Sequence, residues 1–373
     1  MPKSFNILIS PLDWGLGHAT RCIPIITYLT TKGCNVFIAA EGNIQSLLEN
    51  EFPQATYLSL NGYNIRYSKQ KKWLPLKIAA QIPRIIYCIF KEHQWLKKVI
   101  KEHSISAVIS DNRFGLYTRK VPCAYITHQL IIKTGHSFTE RLVSKIHQYF
   151  INKFTECWVP DYEGNINVAG HLSHPDKLLK NVKYIGCLSR FHFIENVKIR
   201  YDLLILLSGP EPQRTILEKL LFIQIKQYKG KVLLVRGLPS NNIQHPDVDF
   251  LDTDTACTLK IKNHLNAIEL NIALQETKII ISRSGYTTVM DLLKLNKKAI
   301  LIPTPGQTEQ EYLAKHLMER RMFYSVNSEK FILTEALLKA ANFDFSNEHY
   351  EMNQYKSVLD TFIKMLGKKN NHN

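Results

Sequence analysis

Four loops concentrate the residues able to do chemistry in this 373-residue chain, and each follows an apolar run and precedes a helical pattern. The first is Gly15-Leu16-Gly17-His18-Ala19-Thr20-Arg21. Its glycines let the chain turn tightly from strand to helix, so that the N–H groups at the new helix start face outward. His18 stands at that helix start, where a neutral imidazole can serve as a general base near pH 7. It can equally cap the helix or bond locally. The loop lacks the third glycine of a dinucleotide fingerprint.

The second loop, Ser208-Gly209-Pro210-Glu211-Pro212-Gln213-Arg214, repeats that geometry, with Arg214 in reach of a phosphate or simply part of an ordinary strand-to-helix turn. The third is Ser282-Arg283-Ser284-Gly285-Tyr286-Thr287-Thr288 with Asp291 one turn further on. Hydroxyls and backbone amides at a helix start suit a diphosphate, and an acidic residue a turn later suits vicinal sugar hydroxyls. The fourth, Pro303 to Glu311, contains Glu309 and Gln310 and lies between the next strand and helix. Asp111 closes another strand and is placed either to orient His18, to line an acceptor site or to cap a helix. His128 has the same geometry with a weaker claim, and His93, His103 and His174 read as surface or capping residues.

Short β-branched runs alternate with helical patterns along the whole chain, which predicts α/β architecture with parallel strands. One series of strands begins at Phe5–Ser10, Asn35–Ala39 and Ala55–Leu60 and continues at 106–110, 123–127 and 157–159. A long helix spans roughly 76–101. A second series begins at Asp202–Leu207 and continues at 231–235, 278–282 and 299–303. The expected domains are 1–190, 200–345 and a terminal helical segment, 346–373, with a cleft between two α/β units as the default ligand site.

The chain carries 48 Lys and Arg against 32 Asp and Glu, a formal charge of +16, with 45% hydrophobic residues. That composition excludes a disordered chain and points to an anionic partner. Seven cysteines without a CxxC pair or metal-ligand spacing fit a reducing cytoplasm and no metal site. The N-terminus enters a strand directly, with no signal peptide ahead of it, and the apolar stretch 74–90 is too short and polar to span a bilayer. The segment Lys69 to Lys98, with Trp73 and Trp95, reads either as a membrane-surface patch or as a core helix behind a basic loop. No nucleic-acid recognition module is present, and the basic residues are dispersed.

The segments SRSGYTTVMDLL and KAILIPTPGQTEQEYLAKHL resemble the nucleotide-sugar-binding part of glycosyltransferase family 28, specifically over residues 260–320. GLGHATR supports the resemblance. It implies the GT-B fold, two Rossmann-like domains with parallel sheets facing across a cleft, the last helix returning to the first domain. It further implies an inverting transferase moving a hexose or N-acetylhexosamine, such as N-acetylglucosamine, from a UDP-sugar without a metal or other cofactor. His18 and Asp111 would be catalytic. Gly17, Ser208, Gly209, Arg214, Arg283, Ser284, Gly285, Thr287, Thr288, Asp291, Glu309 and Gln310 would hold the donor. Glu311 stands where the family often has a second glutamine. The acceptor would be lipid-linked or a glycan, with the enzyme cytoplasmic or peripheral on the inner face of an anionic membrane.

Two rivals stay open. The pattern Gly15-Leu16-Gly17-His18-Ala19-Thr20-Arg21-Cys22 is similar to one in UDP-sugar hydrolases of the pseudaminic acid route, in which water replaces the acceptor. A basic, non-enzymatic protein binding membranes or nucleic acid would instead show strongly salt-dependent binding and no nucleotide site.

Overall fold

The computed structural model of the protein describes residues 4–63, 81–238, 248–252 and 257–370. The chain divides into two units, Met1–Ser189 with Tyr350–Asn373, and Arg190–His349. Residues 191–199, which the sequence leaves between domains, belong to the second unit, as do Arg190, expected in the first domain, and 346–349, expected in the terminal segment.

The first unit is built on β1 (Asn6–Pro11), β2 (Asn35–Ala39), β3 (Thr56–Leu58), β4 (Ala107–Asp111), β5 (Cys123–Ile126), β6 (Glu156–Val159) and β7 (Val182–Tyr184). All pairings are parallel, in the order β3-β2-β1-β4-β5-β6-β7. Strands covered on both faces read as continuous apolar runs, and Ile7, Leu8 and Ile9 are each fully buried. The helices are α1 (Leu16–Thr31), α2 (Gly42–Glu51), α3 (Ile82–Glu102) and α4 (Ser137–Ile151). The predicted start of α3 near residue 76, and the basic segment from Lys69, lie outside the described residues.

The second unit contains β8 (Tyr201–Leu206), β9 (Gly230–Val235), β10 (Val248–Asp252), β11 (Cys257–Lys262), β12 (Thr277–Ser282), β13 (Ala299–Leu301) and β14 (Tyr324–Ser325). Their order is β10-β11-β9-β8-β12-β13-β14, and among the described residues only β10 runs antiparallel. The helices are α5 (Gln213–Ile225), α6 (Ala267–Gln275), α7 (Tyr286–Lys294), α8 (Thr308–Glu319) and α9 (Leu333–Ala341). A capping box at Asn266 starts α6, its side chain accepting from the Glu269 N–H.

The terminal helix α10 (Gln354–Asn370) belongs to the first unit. Leu359, Phe362 and Leu366 enter the core with α1, and Phe362 meets Trp158 edge-on at 5.0 Å. Burying Phe362 completely contributes about 3 kcal/mol.

The strand order places the chemistry. Each sheet reverses its order at one point, and loops leaving the carboxyl ends of the two strands there diverge to opposite faces and open a crevice. In the first unit that point lies between β1 and β4, where His18 follows one strand and Asp111 ends the other. In the second it lies between β8 and β12, the strands followed by the Ser208 and Arg283 loops.

Candidate active site

In the first unit, α1 starts at Leu16 without a side-chain cap, behind Gly15 with φ near 151°. His18 and Arg21 are three residues apart and share one face of that helix. Arg21 is 3% exposed and Asp111 fully buried. The Arg21 guanidinium forks onto the Asp111 carboxylate, Nε donating to Oδ2 at 2.7 Å and Nη2 to Oδ1. The same Nη2 lies 2.8 Å from His18 Nδ1, and Nη1 lies 3.1 Å from His128 Nδ1. Asp111 holds both oxygens 3.3 Å from His18 Nδ1. His18 Nε2 forms no hydrogen bond among the described residues, and the side chain is 19% exposed.

Burial pushes the Asp111 carboxyl up, but Arg21 and His18 outweigh it and hold the group at about 2. For His18, burial lowers the pKa, Asp111 pulls it back up, and Arg21 lowers it again. The net direction is downward, so the imidazole is neutral at pH 7. Sequence reasoning named His18 and Asp111 and gave His128 a minor place. It missed Arg21 as a site residue, although the three-residue spacing from His18 inside GLGHATR was a usable signal.

Behind this cluster the β4 loop is fixed from below. Asn112 takes φ near 57°, and its Oδ1 accepts from the Tyr125 hydroxyl at 3.1 Å. That hydroxyl also meets His147 Nε2 at 3.2 Å. Arg113 Nε donates to Glu92 Oε1 at 2.7 Å, and the Tyr63 hydroxyl and Gly115 N–H donate to Glu92 Oε2 at 2.8 and 2.9 Å.

In the second unit the three predicted loops gather at the carboxyl edge of β8, β12 and β13. Helices α5, α7 and α8 all start without a side-chain hydrogen-bond cap. In α5 the Thr215 N–H already donates to Glu211 Oε2 at 3.3 Å, while at α7 and α8 the positive end of the helix dipole favours an anion. Gly285, the residue before α7, has room around it: a methyl there would meet nothing within 4 Å. Gly209 takes φ near 101°, and its methyl would lie 3.7 Å from Thr304 Oγ1. Thr304 is 1% exposed, and its hydroxyl has no hydrogen-bond partner among the described residues. Ser208, Thr287, Thr288, Asp291, Glu309 and Gln310 are half-buried at this edge.

Three residues depart from their expected roles. The Arg214 guanidinium, expected on a phosphate, is 5% exposed and spent on Glu211, Glu218 and Thr215. Arg283, also expected at the donor, is 2% exposed and donates to the carbonyls of Ile302, Pro303 and Gln213, tying three loops together. Ser284 is fully buried, and its hydroxyl, expected on a diphosphate, donates to the Gln310 carbonyl at 2.8 Å. The Gln310 amide is also engaged, accepting from Thr304 N–H at 3.0 Å and donating to Gln307 at 2.5 Å. Glu311 accepts from Gly306 N–H at 2.9 Å and so latches the loop.

Residues 215–362 match the family described as Glycosyltransferase family 28 C-terminal domain. No curated protein sequence matches the chain. Among solved structures, MurG of Acinetobacter baumannii is similar over 97% of this chain and 100% of its own, at 13% identity and a TM-score of 0.56. The spinosyn forosaminyltransferase SpnP is similar over 98% and 95%, at 10% identity and a TM-score of 0.61. The spinosyn rhamnosyltransferase SpnG, solved with thymidine diphosphate, is similar over 98% and 96%, at 11% identity and 0.56. The fold is that of these GT-B glycosyltransferases: α/β, with two parallel-strand sheets and their helices.

Proposed function

We propose that this GT-B chain, with its glycosyltransferase family 28 C-terminal domain, is an inverting glycosyltransferase that moves a hexose or N-acetylhexosamine from a UDP-sugar to an acceptor hydroxyl. The observation that carries the reading is the set of uncapped helix starts at α7 and α8, inside the matched segment. SpnG, solved with thymidine diphosphate, supports a nucleotide diphosphate as the anion.

The second unit holds the donor. Amides at the starts of α7 and α8 donate to the diphosphate oxygens, Asp291 takes the ribose hydroxyls, and Glu309 and Gln310 take the sugar, Gln310 exchanging its present loop bonds for it. In the first unit His18 Nε2 takes the proton of the acceptor hydroxyl. The acceptor oxygen forms a bond to the anomeric carbon as the bond to the diphosphate oxygen breaks. The leaving UDP keeps the electron pair, and oriented amides neutralise its charge without reorganising. No metal is needed on this reading.

A lipid-linked or glycan acceptor at the inner face of the membrane, serving cell-envelope glycolipid or polysaccharide synthesis, fits the surface of the first unit. Helix α3 exposes Ile86, Tyr87 and Phe90 beside Arg84 and Lys91, and α4 exposes Leu142, Ile146 and Tyr149 beside Arg141 and Lys145. Both helices pack on the same face of the sheet. Apolar side chains flanked by cations suit an anionic bilayer surface. Among the described residues no helix is long and apolar enough to cross a membrane.

The test is transfer from labelled UDP-N-acetylglucosamine, UDP-glucose and dTDP-sugars to lipid and glycan acceptors, with UDP binding followed by calorimetry. Neither transfer nor UDP binding, with Asp291→Ala changing nothing, sinks the reading. The Arg21-Cys22 pair after His18 keeps hydrolysis as the second reading, and rapid UDP release without acceptor would favour it.

A further inference from the structure

We infer that Arg21 is a positioning residue that sets which nitrogen of His18 carries the proton. Nδ1 of His18 has one bonding direction in the ring plane and two claimants. Arg21 Nη2 lies 2.8 Å away and can only donate; the Asp111 oxygens lie 3.3 Å away and can only accept. The nearer partner requires a lone pair on Nδ1, which puts the imidazole proton on Nε2, the nitrogen without a hydrogen-bond partner among the described residues.

In that tautomer the outward nitrogen is a hydrogen-bond donor. It becomes a base only when Nδ1 passes from Arg21 to Asp111 and carries the proton itself. Arg21 therefore opposes both the base tautomer and the imidazolium, while Asp111 favours both. The remaining titratable neighbours are Cys22 on the same helix, its Sγ 3.8 Å from Asp111 Oδ2, and His128 beyond Arg21. Burial raises the Cys22 thiol well above its usual range, so it stays neutral. His128 Nδ1 sits 3.1 Å from Arg21 Nη1, so that nitrogen too faces a donor.

Arg21 reaches this position because it sits one helical turn after His18 on α1 and because Asp111 ends the neighbouring strand β4. The Arg21–Asp111 fork orients the guanidinium so that its second Nη2 hydrogen points at the ring. A lysine at position 21 keeps the cation but lacks the second arm of the fork.

The arrangement rests on the glycosyl-transfer reading only for its consequence in turnover, so the test begins without substrate. Long-range 1H–15N spectra of the whole protein, labelled at histidine and assigned with His18→Gln, distinguish the two neutral tautomers. The wild type is expected to show His18 protonated at Nε2. Arg21→Lys is expected to shift the tautomer ratio toward Nδ1–H by about tenfold, the worth of one charge-assisted hydrogen bond, and Arg21→Met further, with titration at higher pH. Wild-type protein protonated at Nδ1, or a ratio and titration unmoved in Arg21→Lys, overturns the inference even if Arg21→Met fails to fold. If the spectra behave as expected but no UDP-sugar is turned over, the glycosyl-transfer reading fails and the tautomer control stands. If transfer occurs, the acid limb of the kcat/KM profile should move to higher pH in Arg21→Lys while the donor KM stays constant. A purely structural arginine would move neither.

Discussion

Nε of Arg21 lies 2.7 Å from Oδ2 of Asp111 in an interior where neither residue is more than 3% exposed. The pair holds the Asp111 carboxyl at about 2, below the usual 3.8. A carboxyl depressed by folding stabilises the fold above its unfolded pKa and loses that contribution as pH falls through the folded one. The window is therefore roughly pH 4 down to pH 2, and the size about 2 kcal/mol. Asp111→Asn should cost about 3 kcal/mol at pH 7, because Arg21 is left as an uncompensated buried cation. Urea midpoints of wild type and variant should converge between pH 4 and pH 2; curves that stay parallel contradict the pairing.

Asp111 depends in turn on the loop after β4. Glu92 on α3 and Arg113 are 2% and 1% exposed, and every Glu92 oxygen is bonded. Breaking a buried pair from one side costs about 3–5 kcal/mol, since the partner charge remains. Arg113→Met should lose that much in chemical denaturation, and Glu92→Gln somewhat less, because the amide still receives Tyr63 and Gly115. A loss under about 1 kcal/mol in Arg113→Met would show that the pair does not organise the loop.

His147 carries a second pH dependence. Burial, reinforced by His128, lowers it to about 4 from 6.5. Its unfolded form binds more protons between those values, so stability is complete above pH 6.5 and falls as pH drops toward 4. The loss amounts to about 3 kcal/mol. His147→Gln, which can still meet the Tyr125 hydroxyl, should flatten the stability profile over that interval. Thermal midpoints at pH 7 and pH 5 in the two proteins give the comparison.

These positions explain what the sequence could and could not reveal. Loops between apolar runs and helical patterns located β1, β4, β8 and β12, so His18, Asp111 and the Gly285 turn fell at the two strand-order reversals. The short strands Val182–Tyr184 and Tyr324–Ser325 gave no period to detect. Arg214 and Arg283 misled for a different reason. An arginine beside a strand-to-helix loop has the same spacing whether it faces a phosphate or is bonded to Glu218 or to the carbonyl of Pro303. Only the fold decides. Ser284 is the same case, since its hydroxyl meets a carbonyl 26 residues away.

The glycines of the second unit separate donor binding from stability. Gly285 takes φ near −70°, open to any residue, and a methyl there meets no protein atom within 4 Å. Gly285→Ala should therefore fold with a thermal midpoint within about 2 °C of wild type, as surface substitutions usually do. The added methyl would occupy the space before α7 through which, on the proposed donor reading, the diphosphate approaches the amides, so donor KM should rise about tenfold or more. Gly209 takes φ near 101°, where alanine is strained, while Thr304 Oγ1 at 3.7 Å is only an ordinary contact. Gly209→Ala should thus lose about 1 kcal/mol of stability through backbone strain alone. Calorimetric UDP binding alongside thermal unfolding distinguishes the two effects. An unchanged UDP affinity in Gly285→Ala would move the diphosphate away from α7, and a stability loss there would mean that the space is needed by the protein itself.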